Sequence, residues 1–161
     1  MILKYFDEWL ITINANKTET ILFTRKSTNS KIITKLKVKD KTIATTPTVK
    51  YLGLTLDTRL NFHTHINNTL TKANATLRQI YPLMARNNKM TIDNKKRLYK
   101  TIIRPIITYA SPAWCHIPKT TMIKPQRFQN KCLRLATNMG RYTKITDLHE
   151  TAQIETLKEH I

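Results

Sequence analysis

Two glycines in 161 residues leave too few for a loop that wraps a phosphate in backbone amides. A glycine-rich phosphate loop is therefore excluded. Cysteine is equally scarce: Cys115 and Cys132 stand in no Cys-x-x-Cys pair. That excludes a disulfide framework and fits reduced thiols in an intracellular protein, cytoplasmic or nuclear. Acidic residues are few, 10 Asp+Glu against 28 Lys+Arg. Metal-dependent phosphoryl chemistry needs two or three carboxylates converging on Mg²⁺. Asp7, Asp40, Asp57, Asp93 and Asp147 are scattered, and none is next to another. No Ser-His-Asp or Cys-His arrangement can be argued from the spacing. His63, His65, Cys115 and His116 could ligate zinc, but their spacing fits no zinc pattern, so the sequence assigns no metal. No run approaches the roughly 20 apolar residues of a membrane span. Lys4, Asp7 and Glu8 break up any signal-peptide core.

What is present is positive charge on a chain that can fold. The net charge is +18 and 40% of the residues are hydrophobic. Such an excess repels itself in a compact state and suits a polyanion, either nucleic acid or an anionic membrane surface. A bias toward Lys, Asn, Ile and Thr in the source is the alternative. The arrangement of the cations favours nucleic acid, with no membrane.

The first part reads as a helix over residues 3–10 and then a small, mostly antiparallel sheet. Its strands are Thr20–Thr24, a segment near "IITKLKV", a weak strand near Thr42–Ala44, and "VKYLGLTLD", Val49–Asp57. Gly53 falls inside that last strand, where a glycine costs chain entropy and packs nothing. Alternation places Leu52, Leu54 and Leu56 on one face and Val49, Tyr51 and Gly53 on the other, with a bulge, a tight bend or a packed helix each able to account for the glycine.

Beyond Asp57 the period changes. Ile66, Leu70, Ala73, Leu77, Ile80 and Met84 mark one face of a long helix, which Pro82 kinks or ends near Tyr81. Thr91 caps a second helix that Pro105 bends or stops. A third runs from about Thr121 to Asn138, with Gly140 as its stop. "DLHE" reads as a capping box, Asp147 with Glu150, opening a last short helix. The fold class is α+β: a sheet-containing part over residues 1–57, then a helical part over 58–161. The chain starts in one amphipathic segment and stops in another, which reads as a piece of a longer polypeptide.

The cations are patterned. Lys124, Arg127, Lys131 and Arg134 form one stripe on the third helix, and Lys96, Lys100 and Arg104 repeat the theme on the second. Such a row can track phosphates along a nucleic acid; the bland alternative is a solvated face. Lys35, Lys37, Lys39 and Lys41 alternate, which serves either phosphate contact or protection of a sheet edge.

Four phrases, in order, carry a resemblance: "WLITINANKTETILF", "VKYLGLTLD", "LYKTIIRPIITYASPAW" and "QRFQNKCLRLATNMGRY". Together they resemble the reverse transcriptases of non-LTR retrotransposons, most closely jockey-like mobile elements, over nearly the whole chain. The resemblance implies an α+β piece: the end of a polymerase palm, a primer grip, and a helical thumb. It implies that Lys17, in "NANKT", approaches the phosphates of an incoming nucleotide as a general acid; a turn residue before a strand is the equal alternative. It implies that Tyr51, Leu52 and Gly53 grip the primer. The family's catalytic aspartates lie upstream of this region and have no counterpart here. The expectation is a fragment of an RNA-directed DNA polymerase, a nucleotidyltransferase, inactive alone. Its partners would be an RNA–DNA or DNA template–primer duplex and the remainder of the polymerase chain. Mg²⁺ is implied for the full-length enzyme and no cofactor for this chain. The alternatives are a non-catalytic basic nucleic-acid-binding module or decayed relic, and a structural fragment that binds no nucleic acid.

Overall fold

The computed structural model describes residues 2–24, 36–38 and 41–161. These fall into two compact units, Met1–Asn61 and Phe62–Ile161. The first opens with helix α1, Ile2–Glu8, on which Tyr5 packs edge-on against Phe6 and tilted against Trp9. Two antiparallel ladders follow. Strands β1, Lys37–Val38, and β2, Lys41–Thr42, pair Lys37 with Thr42 and Val38 with Lys41. Strands β3, Thr48–Tyr51, and β4, Leu54–Asp57, pair Tyr51 with Leu54 and Thr48 with Asp57. Thr20–Thr24 is not a strand; Thr20 makes one parallel bridge to Thr45. Lys35 and Lys39 of the lysine alternation lie outside the described residues, as does the segment before Leu36.

"VKYLGLTLD" is not one strand but a hairpin. Leu52 and Gly53 form its two-residue turn, with φ of 45° and 83°. Two positive φ angles define the turn whose twist matches the flanking strands, and glycine takes the second position without strain. Gly53 therefore serves the reversal of the chain. It does not clear a strand face, and Leu52 does not share a face with Leu54 and Leu56. Gly53→Ala is expected to cost about 1–2 kcal/mol, the penalty of a side chain in left-handed backbone. Gly53→Asn should cost less. Denaturant unfolding of the two variants checks this, and equal losses would contradict the turn assignment.

The second unit is helical: α2, His63–Met84; α3, Ile92–Leu98; α4, Arg104–Ile107; α5, Ser111–Trp114; α6, Lys119–Ala136; α7, Ile145–Ala152; and α8, Leu157–His160. The expected face of α2 is the buried one, with Ile66, Ala73, Leu77 and Met84 inside and Leu70 and Ile80 half-buried against them. Pro82 sits on an exposed position and the helix runs on to Met84, because only one internal hydrogen bond is forfeited so near the end. Pro105 does not stop the chain either. A π-helical turn, Tyr99–Ile103, joins α3 to α4, and Pro105 falls in the first turn of α4, where its missing N–H matters least. Thr91 does cap α3, its hydroxyl accepting from the Asn94 amide at 3.4 Å.

Two cap expectations fail. After α6 it is Asn138, not Gly140, that takes the left-handed position, with φ 60°. Asp147 lies inside the first turn of α7, and the capping box forms instead at α8 between Thr156 and Glu159. "DLHE" carries the right residue types one turn too late.

Helices α2 and α6 run side by side in the same direction. Near their starts the His63 ring meets the Thr121 hydroxyl at 3.3 Å, and Lys124 Nζ donates to Asn67 Oδ1 at 3.2 Å. Near their ends Arg86 donates to the Met139 carbonyl. There too Lys95 lies fully buried, and its Nζ donates to the Ala85 carbonyl at 2.7 Å and to Asn138 Oδ1 at 3.5 Å. A cation at two helix C-termini faces the negative ends of their dipoles, here reaching one backbone carbonyl and one side-chain oxygen.

A polar network fastens α6 to the last two helices. Gln126 Nε2 donates to Gln129 Oε1 at 2.8 Å and Asn130 Oδ1 at 2.9 Å, while its Oε1 accepts from the Leu157 amide at 2.9 Å. Gln129 donates to the Glu155 carbonyl at 2.9 Å. His149 Nδ1 donates to the Ile154 carbonyl at 2.7 Å. Buried amides are tolerable only when partnered in this way, and partnered they fix one arrangement.

Candidate nucleic-acid interface

Helix α6 is anchored on one side by Phe128, Cys132, Leu133 and Ala136 in the core and by the amide network beside them. The opposite side carries Lys124, Arg127 and Lys131, all exposed. Lys124 leans on Asn67, a neutral partner. No carboxylate pairs with any of the three among the described residues. Like charges three and four positions apart repel, so the row destabilises an isolated helix by a few tenths of a kcal/mol per pair. Rigid backing and unpaired charge are what a phosphate-tracking helix requires.

Arg134 is placed differently from the other three. Its side chain is half-buried, one guanidinium nitrogen donates to the Thr143 carbonyl at 3.4 Å, and Nε is buried with no hydrogen-bond partner. It holds the loop after α6 as well as ending the stripe. On α2, Arg78 lies eleven residues beyond Asn67 and so on the same face, beside α6. It is exposed and adds a cation that the sequence reading did not single out.

The second row is largely neutralised. Lys96 pairs with Asp93 at 3.0 Å and Arg104 with Glu155 at 2.8 Å. One of these acids lies three residues away and the other comes from a distant turn. Lys100 is half-buried on the π-helical turn. Glu155 also accepts from His160 at 2.8 Å. A backbone hydrogen bond, helped by Arg104 and His160, holds its carboxyl below the usual carboxylate range.

The remaining candidates lie in the first unit. Tyr51 and Leu52 are exposed at the β3–β4 turn, 62% and 74%, beside Gly53. Lys17 is exposed in a turn, its amide donating to the Asn14 carbonyl at 3.0 Å.

For a metal the donor set is wrong. Among the described residues no three His, Cys, Asp or Glu side chains come together. Cys115 and His116 touch at 3.1 Å but gather no third ligand. The described residues do not fit the Mg²⁺ site of a polymerase. No helix among the described residues is long and apolar enough to cross a membrane.

His65 is buried beside Trp114, with ring centroids 6.3 Å apart. Burial, aided by Lys72, pushes its pKa below 6.5. The unfolded chain therefore takes up a proton at a higher pH than the folded one. Stability from this group is complete above pH 6.5 and is lost as pH falls through the folded value. The unfolding free energy of the wild type should drop across that window, by at most about 1.4 kcal/mol per pH unit. His65→Gln should show a flatter profile over the same range, and an unchanged slope would exclude His65 as its source.

No protein-family model matches the chain, and no solved structure matches it. Its curated relatives are Drosophila RNA-directed DNA polymerases of non-LTR retrotransposons. It is 29% identical over 153 residues to the "Probable RNA-directed DNA polymerase from transposon BS" of Drosophila melanogaster, covering 95% of this chain and 17% of that one. It is 28% identical over 153 residues to the "Probable RNA-directed DNA polymerase from transposon X-element" of the same species, covering 95% and 16%. It is 28% identical over 141 residues to the "RNA-directed DNA polymerase from mobile element jockey" of Drosophila funebris, covering 88% and 15%. The chain thus spans about a sixth of the length of the curated relatives it matches.

Proposed function

We propose that this chain is a template–primer-binding piece of a retrotransposon RNA-directed DNA polymerase, inactive in synthesis by itself. The observation that carries the reading is the row of Lys124, Arg127 and Lys131 on a rigid helix, exposed and without carboxylate partners. Similarity over nearly the whole chain to polymerases supports the duplex as the anion. The exposed turn of Tyr51, Leu52 and Gly53 is consistent with a primer grip, since a tight hairpin lets backbone approach a sugar-phosphate chain. Lys17 is exposed and so available to phosphates. Mg²⁺ would be held by carboxylates of the longer protein, not by this chain.

Binding to an RNA–DNA hybrid over a series of salt concentrations tests the reading. Affinity should fall steeply with salt, with a log–log slope of about −0.9 for each phosphate neutralised on a B-form duplex. Flat or absent binding would sink it. Primer extension with added Mg²⁺ tests the second half, and template-dependent incorporation would overturn the claim of inactivity. The scattered carboxylates also fit a purely binding module, for which upstream coding sequence would be unrelated to a polymerase.

A further inference from the structure

The loop after α6 presents a tyrosine that the stripe does not account for. Tyr142 is 94% exposed. Arg141 and Lys144 flank it and are exposed as well. The loop is held in place: Asn138 turns the chain with φ 60°, the Thr143 amide donates to the Gly140 carbonyl at 3.3 Å, and the Thr143 carbonyl accepts from Arg134. The last cation of the stripe is therefore bonded to the residue next to Tyr142. A single exposed ring is common on protein surfaces, so exposure alone assigns nothing. Its place narrows the choice: between two cations, at the end of the basic row, the flat face it suits is that of a nucleobase.

We infer that Tyr142 is a base-stacking residue, and that the surface from Lys124 to Tyr142 fits a duplex end carrying an unpaired nucleotide. The inference rests on the duplex reading of the stripe. Lys124 to Arg134 spans about 15 Å along the helix, or about four duplex steps. Inside a duplex the base faces are covered by their neighbours. At the end of the row an unpaired base offers a free face, with Arg141 and Lys144 beside its phosphate. Tyr142 contacts the ligand through its ring, so the hydroxyl is dispensable.

Two RNA–DNA hybrids of equal duplex length test this against the full chain. One is blunt, and the other has a short overhang with 2-aminopurine at its first unpaired position. The wild type should bind the overhang hybrid at least about fivefold more tightly and quench the 2-aminopurine. Tyr142→Ala should lose both the preference and the quench while keeping its affinity for the blunt hybrid. Tyr142→Phe should retain all three. Equal wild-type affinity for the two hybrids, a preference that survives Tyr142→Ala, or its loss in Tyr142→Phe would each overturn the stacking role. Tyr142-dependent binding of the overhang without any binding of the blunt hybrid would support stacking and overturn the duplex reading alone. Failure to bind either hybrid would overturn both. A ring this exposed supports no packing, and an unchanged melting curve for Tyr142→Ala confirms that the variant is folded.

Discussion

The triple variant Lys124→Gln, Arg127→Gln, Lys131→Gln is expected to lose about a hundredfold in affinity for an RNA–DNA hybrid at physiological salt. Its log–log salt slope should flatten by about 2 to 3. The figure follows from counterion release: three phosphate contacts, each worth nearly one unit of slope. Arg134 is left out deliberately. Its guanidinium holds the Thr143 carbonyl, so its loss would disturb the loop along with the charge. The same triple variant should be slightly more stable than the wild type, by roughly half a kcal/mol. It removes two like-charge neighbours, at three and four residues' separation, and keeps good helix formers. A gain in stability together with a loss of binding is what a functional stripe predicts. Unchanged binding with an unchanged slope would reduce the row to a solvated face. Control substitutions at Lys96 and Arg104 should change the slope little, because Asp93 and Glu155 already neutralise them.

The largest stability effect is expected at Lys95. Lys95→Ala should cost about 3 kcal/mol and lower the melting temperature of the helical unit by about 15 °C. Three losses combine. The buried stem leaves a gap, the Ala85 carbonyl keeps only the Asn88 amide at 3.2 Å, and two helix C-termini lose the charge that faces them. Lys95→Met separates these, since it fills the space and omits the ammonium. It should still cost about 2 kcal/mol. If Lys95→Met is as stable as the wild type, the ammonium does not hold the helix ends together. Arg86, which reaches the Met139 carbonyl, closes the same junction, so the double variant should lose less than the sum.

What could be read from the chain divides along physical lines. The buried face of α2 was legible because six apolar residues repeat at helical spacing and nothing local competes. The cap of α3 was legible at Thr91 because a threonine just before a helical segment is a favoured N-cap. The hairpin at Leu52–Gly53 was not. Leucine is an unusual first residue for such a turn, and the apolar alternation on either side reads straight through it. Asn138 was missed because Gly140 nearby is the commoner stop. Lys95 was hidden beside Lys96, and nothing in a lysine pair says which one faces inward. Of the candidate site, the α6 cations were legible from spacing. The pairing of Arg104 with Glu155 was not, because it joins residues 51 positions apart. The α+β class held, with two short antiparallel ladders among the described residues.

The two thiols differ in environment in a way that has practical value. Cys132 is fully buried among the core residues of α6, and burial pushes its thiol up to about 12. Cys115 is half-exposed after α5. Only the thiolate reacts with an alkylating reagent, so the Cys132 sulfur stays silent while the helical unit is closed. The rate at which it is modified then reports how often that core opens. The molecule thus carries its own clock for the scaffold beneath the basic row, readable with an alkylating reagent and no engineered label.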